Sequence, residues 1–232
     1  MFSPDGDELV AAVRSRRGRP ASNPAFDGQT RRSSFDLALK RVLDVCGSLA
    51  LIVLLSPALI FIAILVKWED GGPVLFRQDR HGLHGAIFRI IKFRTMGVAS
   101  SSQASGFVQC QPGDMRVTRI GRLLRRTSLD ELPQLFNVVM GDMSLVGPRP
   151  HAVEHDYEAC GAVEDYWQRY AVLPGMTGLA QIRGHRGTTT EMWQMISRVQ
   201  SDLEYVARGS VWLDLGILAS TASVVATGRN AH

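Results

Sequence analysis

The sequence predicts an α+β fold that is mostly helical, with one apolar helix embedded in a membrane and amphipathic helices lying along the membrane surface. Residues 45–66 carry no charge and are dense in Leu, Ile, Val and Ala. Residues 151–172 and 189–208 have the periodicity of amphipathic helices, and 211–226 form a shorter apolar helix suited to the interface. Residues 87–94 have the β-branched and aromatic composition of a strand.

The chain divides into four segments. Residues 1–34 mix Gly, Pro, Ser, Asn and Arg without a sustained period, which predicts a flexible basic tail near anionic lipid. Residues 35–70 contain the membrane helix, residues 71–227 form a small body on the cytoplasmic side, and residues 228–232 are a short tail. Within the body, the Ser-, Gln- and Gly-rich residues 97–114 predict a mobile loop.

The apolar segment allows three topologies. As a straight helix, its 22 residues would extend about 33 Å, enough to cross a bilayer. Pro57 has no N–H and clashes with the preceding turn, so we expect a break at Ser56-Pro57 that leaves two halves too short to cross alone. Both flanks are basic, which places both ends on the cytoplasmic side. A re-entrant helix satisfies this constraint, and the alternatives are a kinked spanning helix and the buried helix of a soluble protein.

Charge and cysteine content exclude several classes of protein. The net charge is +4, but residues 31–126 carry 15 basic and 6 acidic side chains, a balance of +9. Only three of the 26 basic residues are lysines, and the planar fork of arginine suits phosphate. The three cysteines exclude a disulfide scaffold and a cysteine zinc site. No nucleic-acid module accompanies the arginines, so we expect no nucleic-acid partner.

Two acidic residues follow the most basic stretch, and they have two interpretations. Asp130 and Glu131 lie in the run Thr127-Ser128-Leu129-Asp130-Glu131-Leu132-Pro133. In the first interpretation, Ser128 caps a helix and Glu131 completes a capping box. In the second, the arginines at 116, 119, 122, 125 and 126 form a basic face that keeps the carboxylates ionised. Such a carboxylate can act as a nucleophile or bind magnesium while arginines hold phosphate.

Two further basic groups are candidates for phosphate binding. In Gly147-Pro148-Arg149-Pro150, the two prolines restrict the backbone around one guanidinium, although an exposed arginine in a rigid turn is the simpler interpretation. Lys92 and Arg94 would share one face of a strand, with Arg89 on the other, although a solvated strand edge would look the same. Together, the arginines, the carboxylate pair and the apolar segment predict a phosphorylated, partly lipidic substrate.

Seven ordered motifs resemble those of the bacterial sugar transferases, the monotopic phosphoglycosyl transferases, over residues 36–227. They are Lys40-Arg41-Val42-Leu43-Asp44, Ser56-Pro57, Lys92-Phe93-Arg94-Thr95-Met96, Thr127-Ser128-Leu129-Asp130-Glu131-Leu132-Pro133-Gln134, Gly141-Asp142-Met143-Ser144, Gly147-Pro148-Arg149-Pro150 and Pro174-Gly175-Met176-Thr177-Gly178. The stretch from Gly184 to Tyr205 looks most similar to the hexose branch of exopolysaccharide synthesis. The resemblance implies transfer of a sugar 1-phosphate from a UDP-sugar to undecaprenyl phosphate, with release of UMP.

The resemblance also implies roles for single residues. Asp130 would be the nucleophile that carries a phosphosugar, with Glu131 as its partner, and both would contact Mg²⁺. Phosphate would be bound by Arg149, Arg125 and Arg126, with Lys92 and Arg94 as weaker candidates. Ser56-Pro57 matches the family's re-entrant break, which implies a monotopic protein on the cytoplasmic face of the bacterial inner membrane.

Some properties stay open at this level. The resemblance favours glucose or galactose as the sugar, which we expect residues 97–114 and 183–190 to recognise. A homodimer is one oligomeric state that the sequence leaves open. Gly209-Ser210 replaces the aromatic-Ser pair usual in the family, which predicts looser seating of the apolar helix that follows.

Overall fold

The computed structural model describes residues 32–97, 113–185 and 192–227. Its helices are α1 (Ser34–Asp70), α2 (Arg119–Thr127), α3 (Gln134–Met140), α4 (Val153–Cys160), α5 (Leu179–Ile182), α6 (Met192–Arg208) and α7 (Val211–Thr227), with 3₁₀ turns at Leu83–Gly85, Leu129–Glu131 and Tyr166–Ala171. Its strands are β1 (Leu75–His81), β2 (Ile87–Phe93), β3 (Ser144–Val146) and β4 (Gly175–Thr177). The predicted α+β, mostly helical fold is confirmed. Residues 1–31 of the basic tail, residues 98–112 of the predicted loop and residues 228–232 lie outside the described residues.

Helix α1 is one continuous helix, which corrects the prediction of two halves separated at Ser56-Pro57. Its 37 residues begin at a capping box formed by Ser33 and Asp36 and end at Gly71, whose left-handed backbone closes the last turn. Pro57 cannot donate to the carbonyl of Val53, four residues earlier. The hydroxyl of Ser56 donates to that same carbonyl at 2.8 Å, so the proline leaves no unpaired acceptor.

The ends of α1 both contact the body of the protein. Four contacts fix them: Arg41 donates to the carbonyl of Val138 at 2.7 Å, Asp44 accepts from the N–H of Leu145 at 3.1 Å, Glu69 accepts from the N–H of Ile120 at 3.1 Å, and Asp70 pairs with Arg94. Between these ends, large apolar side chains such as Leu54 and Phe61 are exposed. Within the described residues, α1 is the helix that is long and apolar enough to cross a membrane.

Two small sheets carry the predicted motifs. Strands β1 and β2 form an antiparallel hairpin, which confirms the predicted strand over 87–94 except that it ends at Phe93. Strands β3 and β4 are parallel, and their backbones approach closely beyond the paired residues. A Cβ on Gly175 would lie 2.0 Å from the backbone nitrogen of Gly147, so neither position has room for a side chain. This contact joins the Gly-Pro-Arg-Pro motif to the Pro-Gly-Met-Thr-Gly motif.

The main core lies between these sheets and the surrounding helices. Its buried side chains come from β2, α3, β3 and the C-terminal helices: Ile90, Leu135, Val138, Met143, Leu145, Val146, Leu179, Tyr205 and Ile217. A second cluster, with Ile62, Val66, Phe93 and Leu124, packs the C-terminal part of α1 onto the hairpin and α2. The hairpin and the α2–α3 connection therefore rest on the apolar anchor, and these two elements carry the candidate site.

Candidate active site

The two acidic residues lie on a sharp connection between two helices. Helix α2 ends at Ser128, whose φ is +60°, and a 3₁₀ turn carries Asp130 and Glu131 before α3 begins. The capping-box interpretation is wrong, because the Ser128 side chain makes no capping hydrogen bond. The left-handed residue and the short turn bring the two carboxylates to the hairpin.

Glu131 is held between two cations from distant parts of the chain. Lys92 on β2 donates to its Oε1 at 2.9 Å, and Arg149 donates to both of its carboxylate oxygens, at 2.9 Å to Oε2. Burial raises the pKa of Glu131, but Arg149 and Lys92 outweigh it and hold that pKa well below its usual range. Glu131 therefore stays ionised and fixes both cations in place.

Of the two carboxylates, Asp130 is the candidate nucleophile. Its side chain is only 9% exposed, and within the described part of the chain no hydrogen bond to it is formed. Burial and the charge of Glu131 raise the pKa of Asp130 to about 6, against the opposing effect of Lys92, Arg125 and Arg149. At pH 7 it is a mostly ionised carboxylate that is nearly buried and accepts no hydrogen bond from the described residues. This is the environment expected of a nucleophile.

The other predicted phosphate-binding residues divide into two groups. Lys92, Arg149 and Arg125 surround the carboxylate pair, and the Nε of Arg125 is fixed by the Thr95 hydroxyl at 2.8 Å. Arg126 is exposed on α2. Arg94 makes its contacts elsewhere, because its guanidinium pairs with Asp70 and not with the carboxylate pair.

The contacts of Arg94 lie at the end of the hairpin that is next to α1. Arg94 follows the last residue of β2, and its N–H donates to the carbonyl of Val74 at 2.9 Å. Its guanidinium pairs with Asp70 and donates to the carbonyl of Pro73, both at the C-terminal end of α1. Arg94 therefore anchors the membrane helix to the hairpin, beside the site but outside it.

A buried polar network supports the Arg149 loop, and the sequence analysis did not find it. Arg169 is fully buried and donates to the carbonyl of Arg149 at 2.7 Å and to Asp202 at 2.6 Å. Asp156, also fully buried, accepts from the hydroxyls of Tyr166 and Tyr170 at 2.5 and 2.7 Å. The available signal was an arginine inside the apolar run Tyr166–Ala171, since a charge in such a run must find a partner.

A second buried network joins the N-terminus of α1 to α7. Asp214, the lone acid of the apolar C-terminal segment, binds Arg32 at 2.9 Å, Lys40 at 3.2 Å and the hydroxyl of Tyr205 at 2.7 Å. That hydroxyl also lies 3.0 Å from the carbonyl of Val146, directly before the Gly-Pro-Arg-Pro motif. A Cβ on Gly209 would lie 2.8 Å from the Nε of Arg32. The glycine thus makes room for this network, which joins α7 to the N-terminal part of α1.

Of the two carboxylates, Asp130 is the one available to bind a magnesium ion. No group of three or more His, Cys, Asp and Glu side chains that could hold a metal occurs among the described residues. Magnesium in phosphoryl-transfer sites needs only one or two carboxylates together with substrate phosphates. Asp130 fits that role, whereas both oxygens of Glu131 are taken by Lys92 and Arg149.

A buried carboxylate that accepts no hydrogen bond from the described residues, placed among cations and beside a long apolar helix, is the arrangement expected of an enzyme that handles phosphate groups at an apolar surface. Comparison with known families agrees. The chain belongs to the bacterial sugar transferase family, whose sequence model matches residues 35–228. The predicted family resemblance is confirmed.

Individual relatives carry more specific names. A UDP-glucose:undecaprenyl-phosphate glucose-1-phosphate transferase of Caulobacter vibrioides is 47% identical over 88% of this chain and 76% of its own length. The exopolysaccharide production protein PSS of Rhizobium leguminosarum is 46% identical over 80% of this chain and 94% of its own. An Escherichia coli transferase with the same name as the Caulobacter protein is 45% identical over 85% of this chain, which spans only 42% of that relative.

Proposed function

We propose that this enzyme transfers a hexose 1-phosphate from a UDP-sugar to undecaprenyl phosphate, with release of UMP. The names of its relatives support this donor and this acceptor, as an early membrane step of exopolysaccharide synthesis. The observation that carries the mechanism is the buried, unpartnered carboxylate of Asp130 beside Lys92 and Arg149.

In the first step, a carboxylate oxygen of Asp130 attacks the phosphorus that carries the sugar. A bond forms between that oxygen and phosphorus, the phosphoanhydride bond breaks, and UMP departs with the electron pair. In the second step, a phosphate oxygen of undecaprenyl phosphate attacks the same phosphorus and Asp130 is released. One phosphoanhydride replaces another, so the protein supplies mainly position and charge neutralisation.

The cations around Asp130 neutralise the phosphate oxygens as the bonds change. Lys92 and Arg149 are held by Glu131, so they need no reorganisation when the substrate arrives. Arg125 adds a third positive charge that acts on Asp130. Magnesium, held by Asp130 and the phosphate oxygens, would supply additional charge neutralisation on the diphosphate. Glu131 acts in this scheme as the group that positions the two cations.

We also propose a monotopic, re-entrant placement on the cytoplasmic face of the inner membrane, with α1 bent at Pro57 while it stays one continuous helix. The contacts of Arg41 and Asp44 near one end of α1, and of Glu69 and Asp70 at the other, are all made to one body. A body on one side of a bilayer can hold both ends only if the helix does not cross. The exposed apolar side chains between the ends would then face lipid.

The topology is tested by labelling single cysteines in sealed vesicles. The three native cysteines are replaced, and a cysteine is placed at Asp36 or at Gly72, before and after the apolar segment. The proposal expects both positions to react from the cytoplasmic side only. Reaction of the two positions from opposite sides would establish a spanning helix.

The reaction is tested with Asp130→Asn and the matched control Asp79→Asn, an exposed acid on β1. UMP release from a panel of UDP-sugars is measured with undecaprenyl phosphate and Mg²⁺. We expect release to fall at least about a thousandfold in Asp130→Asn, because the nucleophile is lost, and to stay unchanged in the control. Full turnover by Asp130→Asn would refute the covalent mechanism.

A further inference from the structure

Arg80 lies next to the site and has no assigned role. Residues 76, 78 and 80 share one face of β1, and Lys92 lies opposite Phe76 on that face, so Arg80 and Lys92 belong to the same face of the hairpin. The backbone of Arg80 also bridges to Ala152. Its Nη1 points to the carbonyl of Pro150 at 3.4 Å, one residue after Arg149. Arg80 thus extends the cationic group formed by Lys92 and Arg149.

Unlike Arg149, Arg80 has no anion in direct contact within the described residues, although Asp156 and Glu131 attract it from further away. Within the part of the chain that the structure describes, no carboxylate comes within ion-pair distance of its guanidinium, and Gln78 accepts a hydrogen bond from it at 2.6 Å. Its Nε is fully buried without a hydrogen-bond partner. Burial and the charge of Arg149 lower the pKa of Arg80 to about 10. A buried cation beside another cation is unfavourable unless an anionic ligand joins them.

The position of Arg80 favours a soluble ligand over a lipid. The elements next to it are α4 and the 3₁₀ turn Tyr166–Ala171, where the ring of His81 packs against Trp167 and Tyr170. Helices α1 and α7, which carry the exposed apolar surface, pack mainly on α2, α3, α5 and the β3–β4 pair. The cationic group therefore extends from Asp130 toward α4 and the turn Tyr166–Ala171, which are not among the main packing partners of the apolar helices α1 and α7.

We propose that Arg80, together with Arg149, forms a subsite for a phosphate monoester dianion, and that its ligand is the nucleoside monophosphate that leaves in the first step. This inference rests on the proposed function. Arg149 contacts Glu131, and Arg80 contacts the carbonyl of Pro150, the residue after Arg149. Arg149 can therefore hold the bridging phosphate group while Arg80 holds the departing phosphate. The charge of Arg80 would then stabilise the developing dianion of the leaving group.

The test measures binding of labelled UMP to the full chain in detergent, without turnover. Arg80→Gln is compared with Arg89→Gln, which removes the same charge from an exposed residue on the other face of the hairpin, where Arg89 pairs with Asp79. We expect Arg80→Gln to weaken UMP binding about 10- to 100-fold, the loss of one or two charge-assisted hydrogen bonds. Arg80→Lys should recover part of the loss, and Arg89→Gln should bind as the wild type does.

The kinetic constants of Arg80→Gln distinguish two ligands for Arg80, the phosphate of UMP and the phosphate of undecaprenyl phosphate. In Arg80→Gln, KM for the UDP-sugar and product inhibition by UMP should change, while KM for undecaprenyl phosphate stays constant. A change confined to undecaprenyl phosphate would overturn the proposal and assign Arg80 to the lipid. Unchanged UMP affinity in an active Arg80→Gln variant would overturn the subsite and leave the proposed function intact.

A measurement on the wild type covers the case in which Arg80→Gln does not fold. Hydrogen exchange with and without UMP should show protection of the part of β1 around Arg80 and of residues 149–152, and no change at Leu75, the far end of the same strand. Absence of protection at β1 under saturating UMP would overturn the subsite. If the wild type binds UMP but uses no UDP-sugar, the proposed function fails separately from the subsite.

Discussion

Asp130→Asn is expected to abolish turnover and, at neutral pH, to stabilise the fold. Asp130 is 9% exposed and accepts no hydrogen bond within the described residues, so its charge is poorly solvated. Asparagine has nearly the same shape and carries no charge. The variant therefore removes a buried charge that destabilises the fold but that the reaction requires.

The size of this effect follows from the pKa of Asp130. Burial and Glu131 raise it from 3.8 to about 6. At about 1.36 kcal/mol per unit, the ionised carboxylate costs about 3 kcal/mol of unfolding free energy at pH 7. Because the folded state binds this proton more tightly than the unfolded chain, the cost is absent below the unfolded value of 3.8 and develops as the pH rises through 6.

The assay is thermal unfolding of both proteins in the same detergent between about pH 4.5 and pH 8. For a chain of this length, about 3 kcal/mol corresponds to a Tm increase of roughly 6–12 °C for Asp130→Asn at pH 7. The difference should shrink as the pH falls below 6, because native Asp130 becomes protonated. A variant that melts below the wild type at pH 7, or a difference that does not depend on pH, would refute the reasoning.

Three further predictions follow from the same contacts. Activity of the wild type should rise with pH through about 6, as Asp130 ionises, and an unchanged rate between pH 5 and 7 in UMP release assays would contradict this. Glu131→Gln leaves two buried cations without their anion, and we expect kcat/KM to fall about 10- to 100-fold and Tm to fall as well. Asp214→Asn unpairs the buried Arg32, with an expected loss of about 3–5 kcal/mol in denaturant unfolding, and equal stability would argue against that network.

Local patterns predicted much of the candidate site. Asp130 and Glu131 were recognisable because two acids follow an arginine-rich run, and Arg149 because two prolines flank it. The structure brings these residues together with Lys92 through contacts between distant parts of the chain. Glu131, however, holds cations where its spacing from Ser128 resembled a capping box. The competing ion pairs are stronger than a cap, and a single left-handed residue at Ser128 redirects the turn.

The remaining features depend on partners that no local pattern contains. Arg169 and Asp202 are both buried and pair with each other, and Arg169 also donates to the carbonyl of Arg149. Asp214 looked like an isolated acid in an apolar segment, whereas its partner Arg32 lies near the other end of the chain. Predicting the first pair requires the packing of α6 against the 3₁₀ turn Tyr166–Ala171, and predicting the second requires the packing of α1 against α7. Hydrophobic periodicity specifies neither.

The central claim is that the Asp130 carboxylate carries the phosphosugar between donor and acceptor. The direct measurement is intact-protein and peptide mass spectrometry after incubation with a UDP-sugar and Mg²⁺ without undecaprenyl phosphate. The account predicts a hexose phosphate adduct on the peptide that contains Asp130, lost when undecaprenyl phosphate is added. Rapid product formation by an enzyme that never carries an adduct on that peptide would contradict it.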